Sequence, residues 1–178
     1  MIGGLVLFGA VIGVTGMEAE DDVRPAPAHT HAEFSFVVQA PYEDTFPLFG
    51  AHEERKWAAG FQPQFLHPLP AHDEPGMVFT TVQADRARIW TNTALDPEKG
   101  HAQYVYFVAD MMVALIDVRV AKQGAAETRV DVVYERTALK PEANEEVARF
   151  AQADAESGPK WAAAINGYFA NVARGTRK

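Results

Sequence analysis

The C-terminal end of the chain carries the pattern that most restricts how this protein folds. Four apolar residues recur there at spacings of four, four and three: Trp161, Ile165, Phe169 and Val172. That spacing places them on one face of a helix over residues 159–174. Most of the sequence between residues 34 and 139 is typical of short strands, so we expect the apolar face to cross the concave face of an antiparallel sheet. A sheet curved around a helix encloses space, and the sequence therefore predicts an internal cavity.

Seven strands are predicted from alternating apolar and polar residues and from the turns between them. Their ranges are residues 33–39, 63–69, 77–83, 86–95, 101–109, 111–122 and 127–139. In the last strand Val130, Val132 and Tyr134 share a face opposite charged residues, which is typical of an antiparallel sheet with one wet face. By the same alternation, Asp117 and Arg119 are expected to face solvent.

Two short helices are predicted after the first strand, over residues 41–49 and 51–59. Pro41 suits the first position of a helix, and a glycine follows each segment. Another helix is expected to start after residue 139 and to break at residues 157–159 before the final helix. The predicted order is strand, two short helices, six strands and a helical C-terminal region.

The first 16 residues are apolar and rich in glycine, and three interpretations are open for them. They are fewer than the roughly 20 apolar residues of a membrane-spanning helix, and they lack the basic residue that usually begins a signal peptide. They are an export signal that directs the protein to the periplasm, or a misassigned start if translation begins at Met17 in a cytoplasmic protein. A membrane anchor is the weakest interpretation, and no stable membrane span is expected. Residues 17–32 are predicted to form a flexible leader, and residues 33–178 the folded domain.

Composition limits the partners and the chemistry. The net charge of −8 and the lack of a basic patch predict that the protein has no nucleic-acid partner. No cysteine is present, which excludes thiol catalysis, disulfides and thiolate metal sites. The sequence has neither a nucleophile elbow nor a phosphate-binding glycine loop. The histidines considered as metal ligands are expected to be tail or surface residues: His29, His31, His67, His72 and His101. We therefore predict no metal and no cofactor.

Three segments carry a resemblance to a known family. They are Ala-Pro-Tyr-Glu-Asp-Thr-Phe at residues 40–46, Trp-Ala-Ala-Gly-Phe at residues 57–61 and Thr-Arg-Val-Asp-Val-Val-Tyr-Glu at residues 128–135. With the order of elements, they resemble the START/SRPBCC superfamily, the α+β helix-grip fold of the birch-pollen-allergen type. The resemblance covers residues 33–174 and suggests a bacterial member similar to polyketide cyclases or lipid-transport proteins. It implies a cavity for sterols, lipids, polyketides or other apolar ligands, and it assigns no catalytic residue.

The residues predicted to bind the ligand are aromatic or long apolar side chains. They are Trp57, Trp90, Tyr104, Tyr106, Met112, Tyr134, Trp161 and Ile165. Flat rings supply contact area, and their OH or NH groups can orient a polar end of the ligand. Trp57 either closes one mouth of the cavity or packs beneath the short helices. Tyr104 and Tyr106 share a strand face, so if one lines the cavity the other is expected to line it too.

Three functions follow from these expectations. The first is binding or transport of a small hydrophobic or amphipathic molecule in the cavity. The second is a cofactor-independent enzyme of the polyketide cyclase or dehydratase type, for which an inward-facing ionised or shared-proton pair of side chains would be evidence. The third is an interaction module whose cavity is filled by its own side chains. The oligomeric state is left open.

Overall fold

The computed structural model describes residues 25–175. The strands are β1 (His29–Val38), β2 (Gln64–His67), β3 (Val78–Gln83), β4 (Arg86–Asp96), β5 (His101–Val108), β6 (Met112–Lys122) and β7 (Thr128–Ala138). The α-helices are α1 (Tyr42–Thr45), α2 (Ala51–Glu54), α3 (Asn144–Ala155) and α4 (Gly158–Gly175), with 3-10 helices at Phe46–Phe49 and Pro141–Ala143. The predicted sheet, the two short helices after β1 and the long C-terminal helix are confirmed.

The strands form one antiparallel sheet in the order β1-β7-β6-β5-β4-β3-β2. Strands β2 to β7 follow one another as hairpins, and β1 returns to pair with β7 at the other edge. Helices α3 and α4 lie across the inner face and contact β1, and α3 also contacts β7. The core lies between these helices and the sheet, where Val147 of α3 and Ile165 of α4 are fully buried.

Alternation along the strands decides which side chains enter the interior. In β5, Tyr104 and Tyr106 are buried, whereas Val105 is half-buried and Phe107 is exposed on the outer face. The same period of two runs through β6, which pairs with β5, and through β7, which pairs with β6, and both pairings are in unbroken register. The inner face is therefore aromatic and aliphatic over the middle of the sheet.

The first strand begins four residues earlier than predicted. Residues 29–32 pair with residues 134–137 of β7, so they belong to the sheet and not to a flexible leader. His31 lies 3.9 Å from Glu135, and His29 Nδ1 lies 2.9 Å from the Thr137 hydroxyl. Backbone pairing with a long neighbouring strand outweighs the weak local pattern of this segment. The three interpretations of residues 1–16 concern residues outside the described part of the chain.

Two other predicted elements are shorter than expected. The strand predicted over residues 63–69 spans only Gln64–His67, and the helix predicted over residues 51–59 ends at Glu54 and continues as turns. β2 is an edge strand with a register shift between Phe65 and His67, so few backbone hydrogen bonds hold it. Of the helices within residues 25–175, none is long and apolar enough to cross a membrane.

The free edge of β1 is covered by two asparagine side chains from the helices. Asn166 of α4 accepts a hydrogen bond from the Gln39 N–H at 2.7 Å and donates one to the Val37 carbonyl at 3.2 Å. Asn144 of α3 accepts a hydrogen bond from the Ala28 N–H at 2.7 Å. Each amide forms hydrogen bonds with backbone groups that would otherwise pair with a further strand. These bonds also attach a helix to the sheet.

On the outer face, the prediction that Asp117 is solvent-facing is only partly right. Its carboxylate accepts hydrogen bonds from Gln103 and Arg119 at 2.8 Å and lies 2.7 Å from His101 Nε2. These neighbours leave the Asp117 side chain 18 % exposed and the His101 side chain 16 % exposed. His101 is therefore not the surface histidine that the sequence predicted, because β5 and β6 bring an acid beside it.

Candidate functional site

An internal cavity of about 60 Å³ lies between the inner face of the sheet, the short helices and the start of α4. It is lined by Phe49, Glu54, Trp57, Phe79, Trp90, Tyr104, Ile116, Val118, Tyr134 and Trp161. Strands β3 to β7 each contribute at least one of these side chains. Among the lining residues in the described part of the chain, Glu54 is the only carboxylic acid, and the others are aromatic or aliphatic.

Aromatic rings in contact with one another form most of the cavity wall. Phe79 and Trp90 pair across β3 and β4 and stack with ring centroids 5.5 Å apart at an angle of 8°. The rings of Trp57 and Trp161 lie 5.3 Å apart, and the Trp57 indole N–H donates a hydrogen bond to the Leu48 carbonyl at 2.8 Å. These contacts restrict rotation of the rings that form the wall.

Glu54 enters the cavity from the last residue of α2. The helix begins after Gly50, where Asp73 accepts a hydrogen bond from the His52 N–H at 2.8 Å. A β-carbon at position 50 would overlap the Asp73 carboxylate, so only glycine fits there. The contact fixes the start of α2 against the loop before β3. It thereby sets the position from which Glu54 reaches inward.

The Glu54 carboxyl group is enclosed by protein atoms, although the residue as a whole keeps some exposed surface. Burial raises the pKa of Glu54 to about 8, and the nearby charge of Asp73 acts in the same direction. Within residues 25–175, its carboxylate has no salt bridge and no side-chain hydrogen bond. Near pH 7 this group can therefore hold a proton or release one.

Two tyrosines in the wall are neutral hydrogen-bonding groups. The Tyr104 hydroxyl donates to the Phe49 carbonyl at 2.9 Å, and burial raises the pKa of Tyr104 above its ordinary value. Burial also raises the pKa of Tyr134, with a further contribution from the charge of Asp154. Both phenols therefore remain protonated at physiological pH and can orient a polar group, but they are poor bases.

A larger open cleft of about 760 Å³ lies beside the cavity. Glu54, Trp90 and Trp161 line both spaces, so they form the boundary between them. The rest of the cleft is mainly polar and is lined by Ala59, Gly60, Phe61, Gln62, Gln64, Thr80, Thr81, Val82, Gln83 and Arg88. A molecule in the cleft can thus reach Glu54 with one end.

Of the eight predicted ligand-binding residues, five line the cavity and three lie elsewhere. Trp57, Trp90, Tyr104, Tyr134 and Trp161 line the cavity. Trp57 forms part of the cavity wall, and its indole N–H donates a hydrogen bond to the Leu48 carbonyl in the 3-10 helix that follows α1. The remaining three, Tyr106, Met112 and Ile165, lie outside this lining. Ile165 is fully buried in the core between α4 and the sheet.

A buried arginine explains why Tyr106 and Met112 do not line the cavity. Tyr104 and Tyr106 do share the inner face, but the Arg136 guanidinium donates a hydrogen bond to the Tyr106 hydroxyl and lies 3.9 Å from the Met112 sulfur. Arg136 is 4 % exposed, and Asp154 accepts two hydrogen bonds from it at 2.6 and 2.8 Å. The expectation that Tyr106 lines the cavity with Tyr104 is wrong, because this ion pair fills the space at that end.

Five lining residues were absent from the predicted ligand-binding set: Phe49, Glu54, Phe79, Ile116 and Val118. Glu54 lies three residues before Trp57, a spacing that places two side chains on the same face of a helix. That signal could have identified Glu54 as a neighbour of Trp57. No local pattern indicates that Phe49 and Phe79 meet it, because they come from separate elements.

Metal ligation has little support in the described part of the chain. Residues 25–175 contain no group of three His, Cys, Asp or Glu side chains that could hold a metal ion.

Comparison with known proteins identifies the fold. No protein-family model and no curated protein matches the chain. Norcoclaurine synthase from Thalictrum flavum superposes with a TM-score of 0.60 at 13 % identity, covering 92 % of this chain and 99 % of that chain. XoxI from Bacillus cereus gives a TM-score of 0.57 at 13 % identity, covering 80 % and 96 %. Ara h 8.0201 gives 0.51 at 13 % identity, covering 79 % and 97 %.

At these identities the likeness shows the fold alone. The helix-grip fold of the birch-pollen-allergen type, expected from the sequence, is confirmed for this chain. The polyketide-cyclase and lipid-transport subtypes stay proposals, and the site itself must carry any argument about function.

Proposed function

We propose that this protein binds one small amphipathic molecule, with a compact end in the internal cavity and the rest in the open cleft. The observation that carries the proposal is that Glu54, Trp90 and Trp161 line both spaces. Burial of ligand carbon against the rings provides the affinity, at roughly 25 cal/mol per Å² before ordering costs. The carboxyl and phenol groups orient the ligand.

Size argues against a ligand enclosed entirely by the protein. The internal cavity of about 60 Å³ has room for a few heavy atoms, whereas a cavity that holds benzene is about 150 Å³. A sterol or an acyl chain would therefore have to lie mainly in the cleft. The polar side chains of that cleft, such as Gln62, Gln64 and Thr80, favour an amphipathic molecule over a purely apolar one.

The filled-cavity interaction module is the weakest of the three hypotheses. That hypothesis requires side chains to occupy the whole interior, whereas a void remains beside Glu54 and an accessible cleft adjoins it. Residual space next to a carboxyl group and aromatic rings is typical of a small-molecule site.

Cofactor-independent catalysis of the cyclase or dehydratase type is the second candidate function. The raised pKa of Glu54 supports it, because a carboxyl that titrates near pH 7 can transfer a proton to or from a bound molecule. One structural neighbour is named as a synthase, and a complex of that protein contains dopamine and hydroxybenzaldehyde. Turnover requires a substrate with an acidic proton or a leaving group held at Glu54.

Two measurements test binding. Native mass spectrometry of protein expressed from Met1 reports any co-purifying molecule and also the mass of the N-terminus. Fluorescence titration with N-phenyl-1-naphthylamine, a neutral apolar probe, then measures access to the site. We expect a saturable signal with one site that Trp161→Ala weakens by about tenfold or more, since a large ring is lost. The absence of both a co-purifying molecule and a saturable signal would exclude the proposal.

A further inference from the structure

The internal cavity combines one acid with many ring faces. Seven of its lining residues are aromatic: Phe49, Trp57, Phe79, Trp90, Tyr104, Tyr134 and Trp161. Ring faces are electron-rich and attract cations, particularly when water is excluded. The single charged group that the lining can present is the carboxylate of Glu54. Both features favour a positively charged atom group and oppose an anion.

We propose that the cavity takes the basic nitrogen of a small organic amine, with Glu54 as the counter-ion and the surrounding rings packed against the ammonium and its first carbons. This inference rests on the proposed function and names its ligand class. The cavity is large enough for an ammonium and one or two carbon atoms, and the cleft takes the remainder.

The charge of Asp73 near Glu54 reinforces the preference for a cation, and the two nearby phenols carry no charge. Asp73 adds negative charge beside it from the loop before β3. Tyr104 from β5 and Tyr134 from β7 are neutral, because burial raises both of their pKa values. A second anion brought into this space would be repelled by the charge of Asp73 and, once it is ionised, by that of Glu54.

Basic groups near the cavity are already occupied by other contacts. The Arg136 guanidinium is held by Asp154 at 2.6 Å. Arg88 lies in the cleft with its guanidinium 5.2 Å from the centre of the Tyr106 ring. Neither forms a salt bridge with Glu54 among the interactions of residues 25–175. The carboxyl thus remains available for a charged ligand.

Proton balance makes the inference measurable. With a pKa of about 8, Glu54 is mostly protonated at pH 7 in the empty protein. An alkyl ammonium with a pKa of about 10 arrives protonated. Formation of the carboxylate–ammonium pair therefore releases roughly one proton to solvent, and the affinity rises roughly tenfold per pH unit between pH 6 and 7. The affinity levels off above about pH 8 and falls once the amine loses its proton.

The test compares three probes of nearly equal shape: benzylamine, benzyl alcohol and benzoate. Calorimetry at pH 8 should give benzylamine at least about tenfold higher affinity than benzyl alcohol, with no binding of benzoate. At pH 7, titrations in buffers of different ionisation enthalpy should detect the released proton, which needs no variant. Glu54→Gln should abolish the preference for the amine, whereas the matched control Glu53→Gln, on the same helix, should retain it.

The outcomes separate this inference from the proposed function. Equal affinity for benzylamine and benzyl alcohol, or an amine preference that persists in Glu54→Gln, overturns the amine assignment and leaves the binding function intact. Failure of benzylamine, benzyl alcohol and N-phenyl-1-naphthylamine alike to bind overturns both. Amine-selective binding with proton release that depends on Glu54 supports both.

Discussion

The Arg136 guanidinium and the Asp154 carboxylate form a two-point ion pair in the interior, with N···O distances of 2.6 and 2.8 Å. The pair joins β7 to α3 beneath the ring of Phe150, whose centre lies 5.0 Å from the guanidinium carbon. Burial disfavours the charge, but the Asp154 carboxylate and Tyr106 keep the pKa of Arg136 above its ordinary value. The pair also ends the cavity on that side, because it holds Tyr106 and Met112.

Removal of one partner of this pair should be strongly destabilising. Asp154→Ala leaves the guanidinium buried without its carboxylate, and we expect the free energy of unfolding to fall by about 3–5 kcal/mol in a urea titration. Glu145→Ala, which removes an exposed pair with Arg149 on the same helix, is the matched control, with an expected change within about 0.5 kcal/mol. A loss for Asp154→Ala no larger than that of the control would contradict the role given to the pair.

Stability should fall between about pH 4.5 and pH 8 because of Glu54. Folding raises the pKa of Glu54 from 4.5 to about 8. Between these two pH values the unfolded chain has lost this proton while the folded protein still binds it, so the free energy of unfolding decreases as the pH rises. Asp73, whose pKa burial also raises, contributes with the same sign. Glu54→Gln removes the Glu54 share of the penalty. At pH 4, wild type and Glu54→Gln should therefore have about the same free energy of unfolding. At pH 9, that of the variant should be higher, by at most about 3–5 kcal/mol.

The measurement is a urea titration of both proteins across that pH range, with Glu53→Gln as the control. Glu53 forms an ion pair with Lys56, which lowers the pKa of Glu53. Its replacement should not produce a stability gain that grows with pH. A difference between wild type and Glu54→Gln that stays constant with pH would mean that Glu54 titrates normally.

Trp161 and Ile165 lie one helical turn apart on α4 and should respond differently to truncation. Trp161 lines the cavity, whereas Ile165 is fully buried in the core away from it. Both Trp161→Ala and Ile165→Val should lower the melting temperature, but only Trp161→Ala should weaken binding of N-phenyl-1-naphthylamine to the folded protein. If Trp161→Ala changes only the melting temperature, the assignment of this residue to the ligand site is wrong.

The Asn166 side chain should contribute measurably to the attachment of α4. Asn166→Ala leaves the Gln39 N–H and the Val37 carbonyl without their partner, and a loss of about 1–3 kcal/mol is expected in urea unfolding. Asn171→Ala on the exposed side of the same helix is the control, with an expected change within about 0.5 kcal/mol. Hydrogen exchange should also become faster at Gln39 in Asn166→Ala. Equal effects of the two substitutions would contradict the proposed attachment.

The sequence was most informative where the structure depends on local pattern. Alternation in β5 and β7 and the stripe that contains Trp161 and Ile165 are properties of neighbouring residues, so they predicted the strands, the final helix and the inner face. The pattern was least informative at β1, where residues 29–32 join the sheet because β7 is long enough to pair with them.

In the candidate site, too, the sequence predicted what depends on local pattern and missed what depends on tertiary contacts. Trp57, Trp90, Tyr104, Tyr134 and Trp161 were predicted as ligand-binding from ring chemistry and strand or helix face, and they line one cavity. Glu54 was not predicted: its spacing from Trp57 indicates only that the two side chains are neighbours, whereas the burial of its carboxyl group depends on the tertiary structure. Tyr106 was assigned to the cavity because, like Tyr104, it is a tyrosine on the inner face of β5.

By itself, the sequence determined the helix-grip architecture and the aromatic character of its inner face, since periodicity and residue type decide which faces exclude water. The tertiary structure alone decided that Arg136 and Asp154 meet in the interior, and that Glu54 lies among aromatic rings with no salt-bridge partner within residues 25–175. Those features depend on contacts between residues far apart in the chain, such as Arg136 and Tyr106, whose approach is set by strand register and helix docking. Burial then sets the charge state of Glu54, and that charge state is the basis of the proposed chemistry.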